Sequence, residues 1–488
     1  MKVLVSSDPR SLLFDRPPGR ARGTRRTLAV FAAITLLAAC SATPATEQAS
    51  TVGPAATSTP AASQGTTGRG ETIKVLVSSG HQQFNAVWEA LASFTAESGI
   101  TVELDKVATD DIQARALQDL KLGGCTYDVV ETPDDAQGAL ADMMTPIEPL
   151  LSKDGTDPAA FKADFVPWAV ASATYGGSLK YHPFYSGAKA VAYRKDLLED
   201  AKNKADFQAK FGYALPIPPT TPQQLVDIAA FFTKDGVSGI VFSGKGDSAA
   251  NTIADLVFRT GVPGFTDQNG NLLWGGPKHP ENRAKVEAAA KWMQDLVYGS
   301  KVAPTAVTGM GTDEAIASYA AGQAAMVYDL IYLGWSQFNA PNVTSVIGKT
   351  GTFELPSLQA GAGGIPSWWG RGIPACSKHP EAAWTFMKWV MADEQLHSAL
   401  TKGKGVFVPT KKSILAWAVD QNAVPVGVAD AVTHAQVFDV TKATGTFRQT
   451  VTIPLVEQLM QNAITPAQFA DQIGQQGQDV FVRAGVAH

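Results

Sequence analysis

The chain has 488 residues, of which 45% are hydrophobic, and a formal net charge of −5 at pH 7. Such a hydrophobic content is typical of globular proteins, and a chain of this length exceeds what one hydrophobic core covers, so we expect two lobes. The acidic balance argues against a nucleic-acid-binding surface, which should be basic.

The first 39 residues have the composition of an export signal. Several arginines up to Arg26 precede the uncharged segment 28–39, and Cys40 follows directly. A basic segment before an apolar run of ~7–15 residues is typical of a secretory signal, whereas a membrane-spanning helix needs ~20. The sequence Leu37-Ala38-Ala39-Cys40 resembles the bacterial lipobox, in which the cysteine is lipidated. The alternative is an ordinary cleaved signal beside a chance cysteine.

Residues 40–70 predict a flexible linker behind that cysteine. Segment 41–70 is rich in Ser, Thr, Ala, Gly and Pro and contains no aromatic residue, Leu or Ile. Such a segment cannot bury enough surface to offset its ordering entropy. We therefore predict a signal peptide at 1–39, a lipidated Cys40 and a tether, which would anchor the protein to the outer face of the cytoplasmic membrane.

Beyond residue 70 the patterns alternate between strand and helix. Segment 73–78 is a short apolar run, and apolar side chains then recur at helical spacing until Gly99. Segment 101–104 alternates like a strand, 112–122 reads as a helix and 127–130 as a buried strand. This order predicts βαβ units and a parallel sheet, with 79–82 and 131–135 at its ligand-binding edge.

The same alternation recurs later in the chain. Thr221-Pro222 predicts the start of a helix, 239–242 a strand, and 280–298 a further helix. Segment 324–328 reads as a strand, and Pro380 begins another helix. A second α/β unit is therefore expected.

Two cysteines lie beyond Cys40, namely Cys125 and Cys376. In an oxidising compartment they could form a disulfide, or they could be two buried free thiols. The sequence gives no distance between them, so both alternatives stay open.

Enzyme signatures are incomplete. Segment 239–245 nearly matches a phosphate-binding loop, but Gly246 stands where Ser or Thr must bind magnesium. Segment 246–248 resembles the nucleophile block of GDSL-type esterases, yet Asp430 and His434 are one residue too far apart to supply that family's base. The histidines are scattered without metal-ligand spacing. We expect no enzyme activity, no cofactor and no metal.

Several segments together resemble the family 1 extracellular solute-binding proteins of ABC importers. Among them are YDVVETPDDAQGALADMMTPIEPLL, PFYSGAKAVAYRKDLLED, AIASYAAGQAAMVYD and GGIPSWWGRGIPACSKHPEAAWTFMKWVMADEQ, which occur in family order within residues 72–460. Segments 329–332 and 367–371 depart from the family pattern, which leaves the identity of the ligand open.

The resemblance implies an α/β fold of two lobes, the type II periplasmic-binding-protein-like fold. It implies a hinge that the chain crosses three times, near 181–185, 352–356 and 409–413. Lobe one would hold 71–182 and 357–410, and lobe two would hold 183–356 and 411–488. A ligand would bind in the cleft between the lobes.

A sugar needs flat aromatic surfaces and bidentate polar groups. Within the resemblance, the residues expected to stack on it are Trp368, Trp369, Trp335 and Tyr185. The residues expected to bind its hydroxyls are Gln82, Gln83, Asp134, Asp135 and Asp329, and Arg371 would bind either vicinal hydroxyls or an anionic group. For each of them, a place in the core, at the surface or at a helix cap is the alternative.

The predicted function is capture of a carbohydrate, an oligosaccharide or glycoside, by hinge closure. The partners would be a two-subunit ABC permease with its cytoplasmic ATPase, and the protein would be a monomer. An amino acid, polyamine or phosphodiester polyol remains an alternative ligand. A surface-anchored hydrolase is the alternative of another class, disfavoured by the incomplete catalytic signatures.

Overall fold

The computed structural model of the protein describes residues 68–341, 344–403, 407–437 and 439–487. The predicted signal peptide, Cys40 and the predicted linker up to residue 67 lie outside the described residues. Within these described ranges, no helix has both the length and the apolar character needed to cross a bilayer.

Eleven strands are described, and they form two main sheets and one small hairpin. In chain order they are β1 (Thr72–Ser78), β2 (Thr101–Val107), β3 (Val129–Pro133), β4 (Thr174–Tyr175), β5 (Ser178–Leu179), β6 (His182–Ala188), β7 (Ala190–Arg194), β8 (Ser238–Phe242), β9 (Ala324–Asp329), β10 (Thr350–Phe353) and β11 (Pro366–Gly372).

Helices surround these strands and dominate the C-terminal part of the chain. They are α1 (Asn85–Glu89), α2 (Leu91–Ser98), α3 (Ile112–Lys121), α4 (Asp134–Leu140), α5 (Glu148–Lys153), α6 (Pro158–Ala163), α7 (Pro167–Ser172), α8 (Lys195–Leu198), α9 (Ala201–Phe211), α10 (Pro222–Phe232), α11 (Gly246–Arg259), α12 (Arg283–Tyr298), α13 (Thr312–Ala320), α14 (Trp335–Phe338), α15 (Pro380–Val390), α16 (Asp393–Lys402), α17 (Lys412–Asp420), α18 (Val426–Thr433), α19 (Thr444–Phe447), α20 (Ile453–Met460) and α21 (Pro466–Arg483). A π-helical turn, Arg448–Thr452, joins α19 to α20.

The first lobe is built on a five-stranded sheet of order β2-β1-β3-β11-β6. Strands β1, β2 and β3 are parallel, as the βαβ pattern predicted, and β11 runs antiparallel to both β3 and β6. Strand β1 lies inside the sheet, and its consecutive residues Val75, Leu76 and Val77, which point to alternate faces, are all buried. The apolar run that predicted this strand therefore reflects burial on both faces.

The second lobe is built on a four-stranded sheet of order β10-β7-β9-β8. Strands β8 and β9 are parallel, and β7 is antiparallel to β9 and β10. The predicted helix start at Thr221 is confirmed, because Thr221 Oγ1 accepts a hydrogen bond from the Gln224 backbone N–H at 3.2 Å and Pro222 occupies the first helical turn.

The chain passes from the first sheet to the second at Lys189, between β6 and β7. The sequence placed the lobe boundary at residue 182, where β6 starts. Strand β6 pairs with β11 of the first sheet along its length, so the chain leaves this sheet only after β6. In addition, Ser186 Oγ donates to the Val408 carbonyl at 3.0 Å, although the two residues are 222 positions apart in sequence.

A disulfide joins Cys125 to Cys376, with a Cα–Cα distance of 6.0 Å. Cys125 precedes β3, and Cys376 follows β11, its antiparallel neighbour. The bond thus links the two chain segments of the first lobe, which are 251 residues apart in sequence. Of the two alternatives that the sequence left open, the structure contains the disulfide.

Candidate ligand-binding cleft

A pocket lies where α4 of the first lobe meets α11 and the C-terminal helices of the second. Its position matches the rule that ligands bind at the carboxyl ends of parallel strands, because α4 follows β3 and α11 follows β8. The residues that line it are Asp135, Ala250, Asn251, Ala254, Phe265, Trp274, Ile365, Thr444, Phe447, Arg448 and Thr452.

Three of the lining residues, Phe265, Trp274 and Phe447, form an aromatic wall. The rings of Phe265 and Trp274 are stacked, with centroids 5.1 Å apart and an interplanar angle of 19°. Phe447 meets Trp274 edge-on at 5.7 Å. The indole of Trp274 is fixed because its Nε1 donates to the Gly264 carbonyl at 3.2 Å. Trp274 and Phe447 are fully buried and Phe265 is nearly so, and the three rings form a rigid apolar cluster at the base of the pocket.

Polar groups face this wall from both lobes. Asp135 comes from the first turn of α4, and burial raises the pKa of its carboxyl although Arg448 lowers it. Arg448 Nη2 donates to Asp247 Oδ2 at 2.7 Å, while its Nε is buried without a hydrogen-bond partner among the described residues. Asn251 and Thr444 add an amide and a hydroxyl. The pocket therefore combines hydrogen-bond donors and acceptors beside an apolar surface.

Asp134 lies behind Asp135 and does not line the pocket. Its Oδ2 accepts a hydrogen bond from the Trp368 backbone N–H at 3.1 Å, and its Oδ1 accepts from the Asp135 N–H at 2.8 Å. Burial, and secondly the charge of Asp135, raise the pKa of Asp134 to about 7. This carboxyl ties the start of α4 to β11 and so positions Asp135.

The aromatic residues predicted to stack on a ligand lie elsewhere in the fold. Trp368 is fully buried, and Trp369, Tyr185 and Trp335 are each less than one-tenth exposed. The rings of Trp369 and His81 meet edge-on at 4.5 Å. None of these four aromatic residues lines the pocket.

Two of them connect distant segments of the chain. Tyr185 Oη donates to Tyr332 Oη at 3.3 Å, which joins β6 of the first lobe to the segment after β9 of the second. Trp335 Nε1 donates to the Asn422 carbonyl at 3.2 Å. Both side chains thus contact distant chain segments, and their role in ligand binding stays a prediction.

The charged candidates Asp329 and Arg371 are both fully buried inside their own lobes. Arg371 Nε and Nη2 donate to Glu131 Oε2 at 3.1 and 3.0 Å, and the guanidinium lies 3.7 Å from the ring centroid of Phe184. Asp329 Oδ1 lies 2.7 Å from Lys189 Nζ. Neither side chain lines this pocket and both are paired with a buried charge of opposite sign, so their role in ligand binding stays a prediction.

The two glutamines occupy a 3-10 turn after β1, Gln82–Phe84. Gln82 is exposed, whereas Gln83 is buried. Neither lines the pocket, so of the ten predicted binding residues the structure brings only Asp135 to it.

Sequence reasoning missed the residues that the second lobe contributes, among them Asn251, Thr444 and Arg448. Asn251 follows the glycine-rich exit of strand β8, so the rule that placed Asp134 and Asp135 at a strand end could have found it. Thr444 and Arg448 come from helices far along the chain, and no local pattern indicates that they return to the cleft.

The partial catalytic signatures do not assemble in the described structure. Ser248 Oγ accepts a hydrogen bond from Thr312 Oγ1 at 3.1 Å, whereas His434 Nδ1 lies 2.7 Å from Glu354 Oε2. These contacts do not bring Ser248 and His434 together. In the part of the chain that the structure describes, no group of three or more His, Cys, Asp or Glu side chains could hold a metal ion.

Residues 78–396 match the family model of the bacterial extracellular solute-binding proteins, and the chain belongs to this family. A curated relative from Deinococcus radiodurans, named as a probable ABC transporter-binding protein, is 26% identical over 336 residues, which cover 65% of this chain and 72% of the relative.

Solved structures share the two-lobed, type II periplasmic-binding-protein fold. Maltose-bound MalE3 of T. maritima superposes with a TM-score of 0.65 at 20% identity, over 84% of this chain and 99% of that one. The GacH receptor of Streptomyces glaucescens, solved unliganded and with acarbose, gives a TM-score of 0.66 at 19% identity, over 84% of this chain and 98% of that one. The predicted family and fold are thus confirmed.

Proposed function

We propose that the protein binds a carbohydrate in the pocket between Asp135 and Arg448 and delivers it to an ABC importer. The observation that carries this proposal is the pairing of an aromatic wall with polar side chains from both lobes in one pocket. Aromatic rings cover the C–H faces of a sugar, and carboxylate, guanidinium and amide groups bind its hydroxyls. The neighbours solved with maltose and acarbose support a saccharide ligand.

In this proposal Asp135 and Arg448 make the principal polar contacts. The carboxylate of Asp135 accepts hydrogen bonds from ligand hydroxyls, and the unpartnered Nε of Arg448 donates one. Asp134 supports Asp135, because its carboxylate accepts a hydrogen bond from the Asp135 backbone N–H. Gln82, which is exposed on the turn after β1, is retained as an outer contact for a longer saccharide.

The mechanism we propose is capture by hinge closure without chemical change of the ligand. Asp135 belongs to the first lobe and Arg448 to the second, so a ligand that touches both favours the closed form by its differential affinity. The closed protein would then dock on a two-subunit permease, whose cytoplasmic ATPase drives release into the transport path. A lipid on Cys40 would keep the protein at the outer face of the cytoplasmic membrane.

Isothermal titration calorimetry of the purified protein tests the proposal. The panel contains maltose, longer maltooligosaccharides, hexoses and polyols, with amino acids, polyamines and glycerophosphodiesters as the alternative ligands. Asp135→Asn and Arg448→Gln should each weaken binding of the active saccharide by about 10- to 100-fold, since a lost hydrogen bond to a charged group costs about 1.5–3 kcal/mol.

The matched controls are Asp471→Asn and Arg483→Gln, which change the same residue types on the outer helix α21. They should leave the affinity unchanged. If no carbohydrate gives heat while a compound of another class does, the sugar assignment fails. If an ester or glycoside is consumed during the titration, the binding-only function fails in favour of a hydrolase.

A further inference from the structure

One carboxylate outside the pocket fixes the loop that carries the aromatic wall. Asp439 Oδ1 accepts a hydrogen bond from the Phe265 backbone N–H at 2.6 Å. Its Oδ2 accepts two more, from the Thr266 N–H and from Thr266 Oγ1, each at 2.7 Å. Both oxygens of Asp439 are therefore engaged by two consecutive residues of this loop.

The loop that Asp439 holds spans residues 264–274, and contacts within it connect its two ends. Thr266 forms an antiparallel bridge with Leu272, and the Trp274 indole donates to the Gly264 carbonyl. Phe265 stacks on Trp274, so a shift of the Phe265 backbone would move both rings of the wall. Asp439 thus holds the backbone of Phe265, a residue of the wall.

Asp439 also begins the segment that forms the opposite side of the pocket. The next residue, Val440, packs closely on α4, because a Cβ built on Gly138 would lie 2.6 Å from the Val440 carbonyl oxygen. A few residues further on, the same segment supplies Thr444, Phe447 and Arg448 to the lining. The carboxylate thus joins two walls of the pocket that are about 170 residues apart in sequence.

We infer that Asp439 is a positioning residue for ligand binding: it sets the distance of Phe265 and Trp274 from Phe447 and Arg448 without touching the ligand. This inference rests on the proposed function of the pocket. Removing the carboxylate leaves three donors without their acceptor, and the loop then has to find other partners. The pocket loses its shape although the lobes keep their cores.

The experiment compares Asp439→Ala with a carboxylate that holds a loop elsewhere. Asp119 accepts the Thr126 N–H with both oxygens, at 3.1 and 2.9 Å, in a first-lobe loop that does not line the pocket. Maltose is the probe, and its Kd and the Tm are measured for Asp439→Ala, Asp119→Ala and the milder Thr266→Val, which removes one of the three hydrogen bonds.

We expect the Kd for maltose to rise at least about tenfold in Asp439→Ala and by a few-fold in Thr266→Val. Asp119→Ala should lower the Tm and keep the Kd within about twofold of wild type. A Kd for Asp439→Ala within twofold of wild type, or equal changes of Kd in both alanine variants, overturns the inference. If Asp439→Ala does not fold, the Kd of Thr266→Val decides instead: a few-fold rise supports the inference, and an unchanged Kd overturns it.

A spectroscopic arm separates this inference from the proposed function. The near-ultraviolet circular dichroism difference between wild type and Trp274→Phe isolates the signal of the stacked indole. Asp439→Ala should lose that signal, and Asp119→Ala should retain it. Should the wild type bind no saccharide, the proposed function fails, and the dichroism alone decides the positioning role: an unchanged Trp274 signal in Asp439→Ala overturns it.

Discussion

Lys189 Nζ lies 2.7 Å from Asp329 Oδ1, and this buried ion pair fixes the chain where it crosses between the lobes. Lys189 stands between β6 and β7, and Asp329 is the last residue of β9. The carboxylate also accepts hydrogen bonds from the Ser243 N–H at 3.1 Å and from Thr312 Oγ1 at 2.9 Å. The crossing residue is therefore anchored in the second lobe.

Replacing Lys189 by Met should destabilise the protein by about 3–5 kcal/mol, because it leaves the buried charge of Asp329 without its cation. Urea denaturation measures this as a lower midpoint. The double variant Lys189→Met/Asp329→Asn removes both charges and should recover part of the loss. A single variant that unfolds at the wild-type midpoint would show that the ion pair does not anchor the crossing.

The ion pair also shows which contacts could not be predicted from the sequence. The family resemblance led us to expect Asp329 at the ligand, whereas its partner Lys189 is 140 residues away and no local pattern predicts this pairing. The same holds for Arg371, since its partner Glu131 lies 240 residues from it. Trp368 lies on β11, and its side chain is fully buried.

Where a feature depends on local sequence, the prediction succeeded. The apolar run of β1 and the Thr221 cap need only neighbouring residues, and both are present. Asp135 was predicted from the general rule about strand ends, and it lines the pocket. The role of Arg448 could not be predicted, because its position depends on how the last helices pack against α11.

Asp134 should make the stability of the protein depend on pH. Burial raises its pKa from 3.8 to about 7, so the folded protein holds this proton more tightly than the unfolded chain does. The stability that this proton contributes is present at low pH and is lost as the pH rises from about 4 to about 7.

Asp134→Asn should remove this component, so the variant should gain stability relative to wild type as the pH rises through that range. Urea denaturation at several pH values measures the difference. Asp313→Asn, at an exposed position of α13, is the control and should keep the wild-type profile. A constant difference between Asp134→Asn and wild type across this range would exclude a proton bound at Asp134.

The proposed lipid anchor depends on Cys40, and Cys40→Ala tests it in cells that process lipoproteins. Loss of the thiol prevents attachment of a diacylglyceryl group, and without acyl chains the protein has no strong affinity for the bilayer. The variant should move from the membrane fraction to the soluble fraction while its sugar affinity stays unchanged.

The control variant is Ser41→Ala, which should stay in the membrane fraction. Cys125→Ala is not a suitable control, since Cys125 is in the disulfide. Equal membrane association of Cys40→Ala and wild type would contradict lipidation at Cys40.

The disulfide Cys125–Cys376 should contribute to stability without affecting ligand binding. It closes a loop of 251 residues, and removal of a native disulfide commonly costs about 2–5 kcal/mol. The two cysteines lie beyond the start of β3 and the end of β11, whereas Asp135 follows the opposite end of β3. Cys125→Ser/Cys376→Ser should therefore melt at a lower temperature and bind its ligand with wild-type affinity. A reducing agent should lower the Tm of wild type and leave the double variant unchanged. A large loss of affinity in the folded double variant would show that the two ends of strand β3 are coupled. The prediction that the disulfide affects stability and not binding would then be wrong.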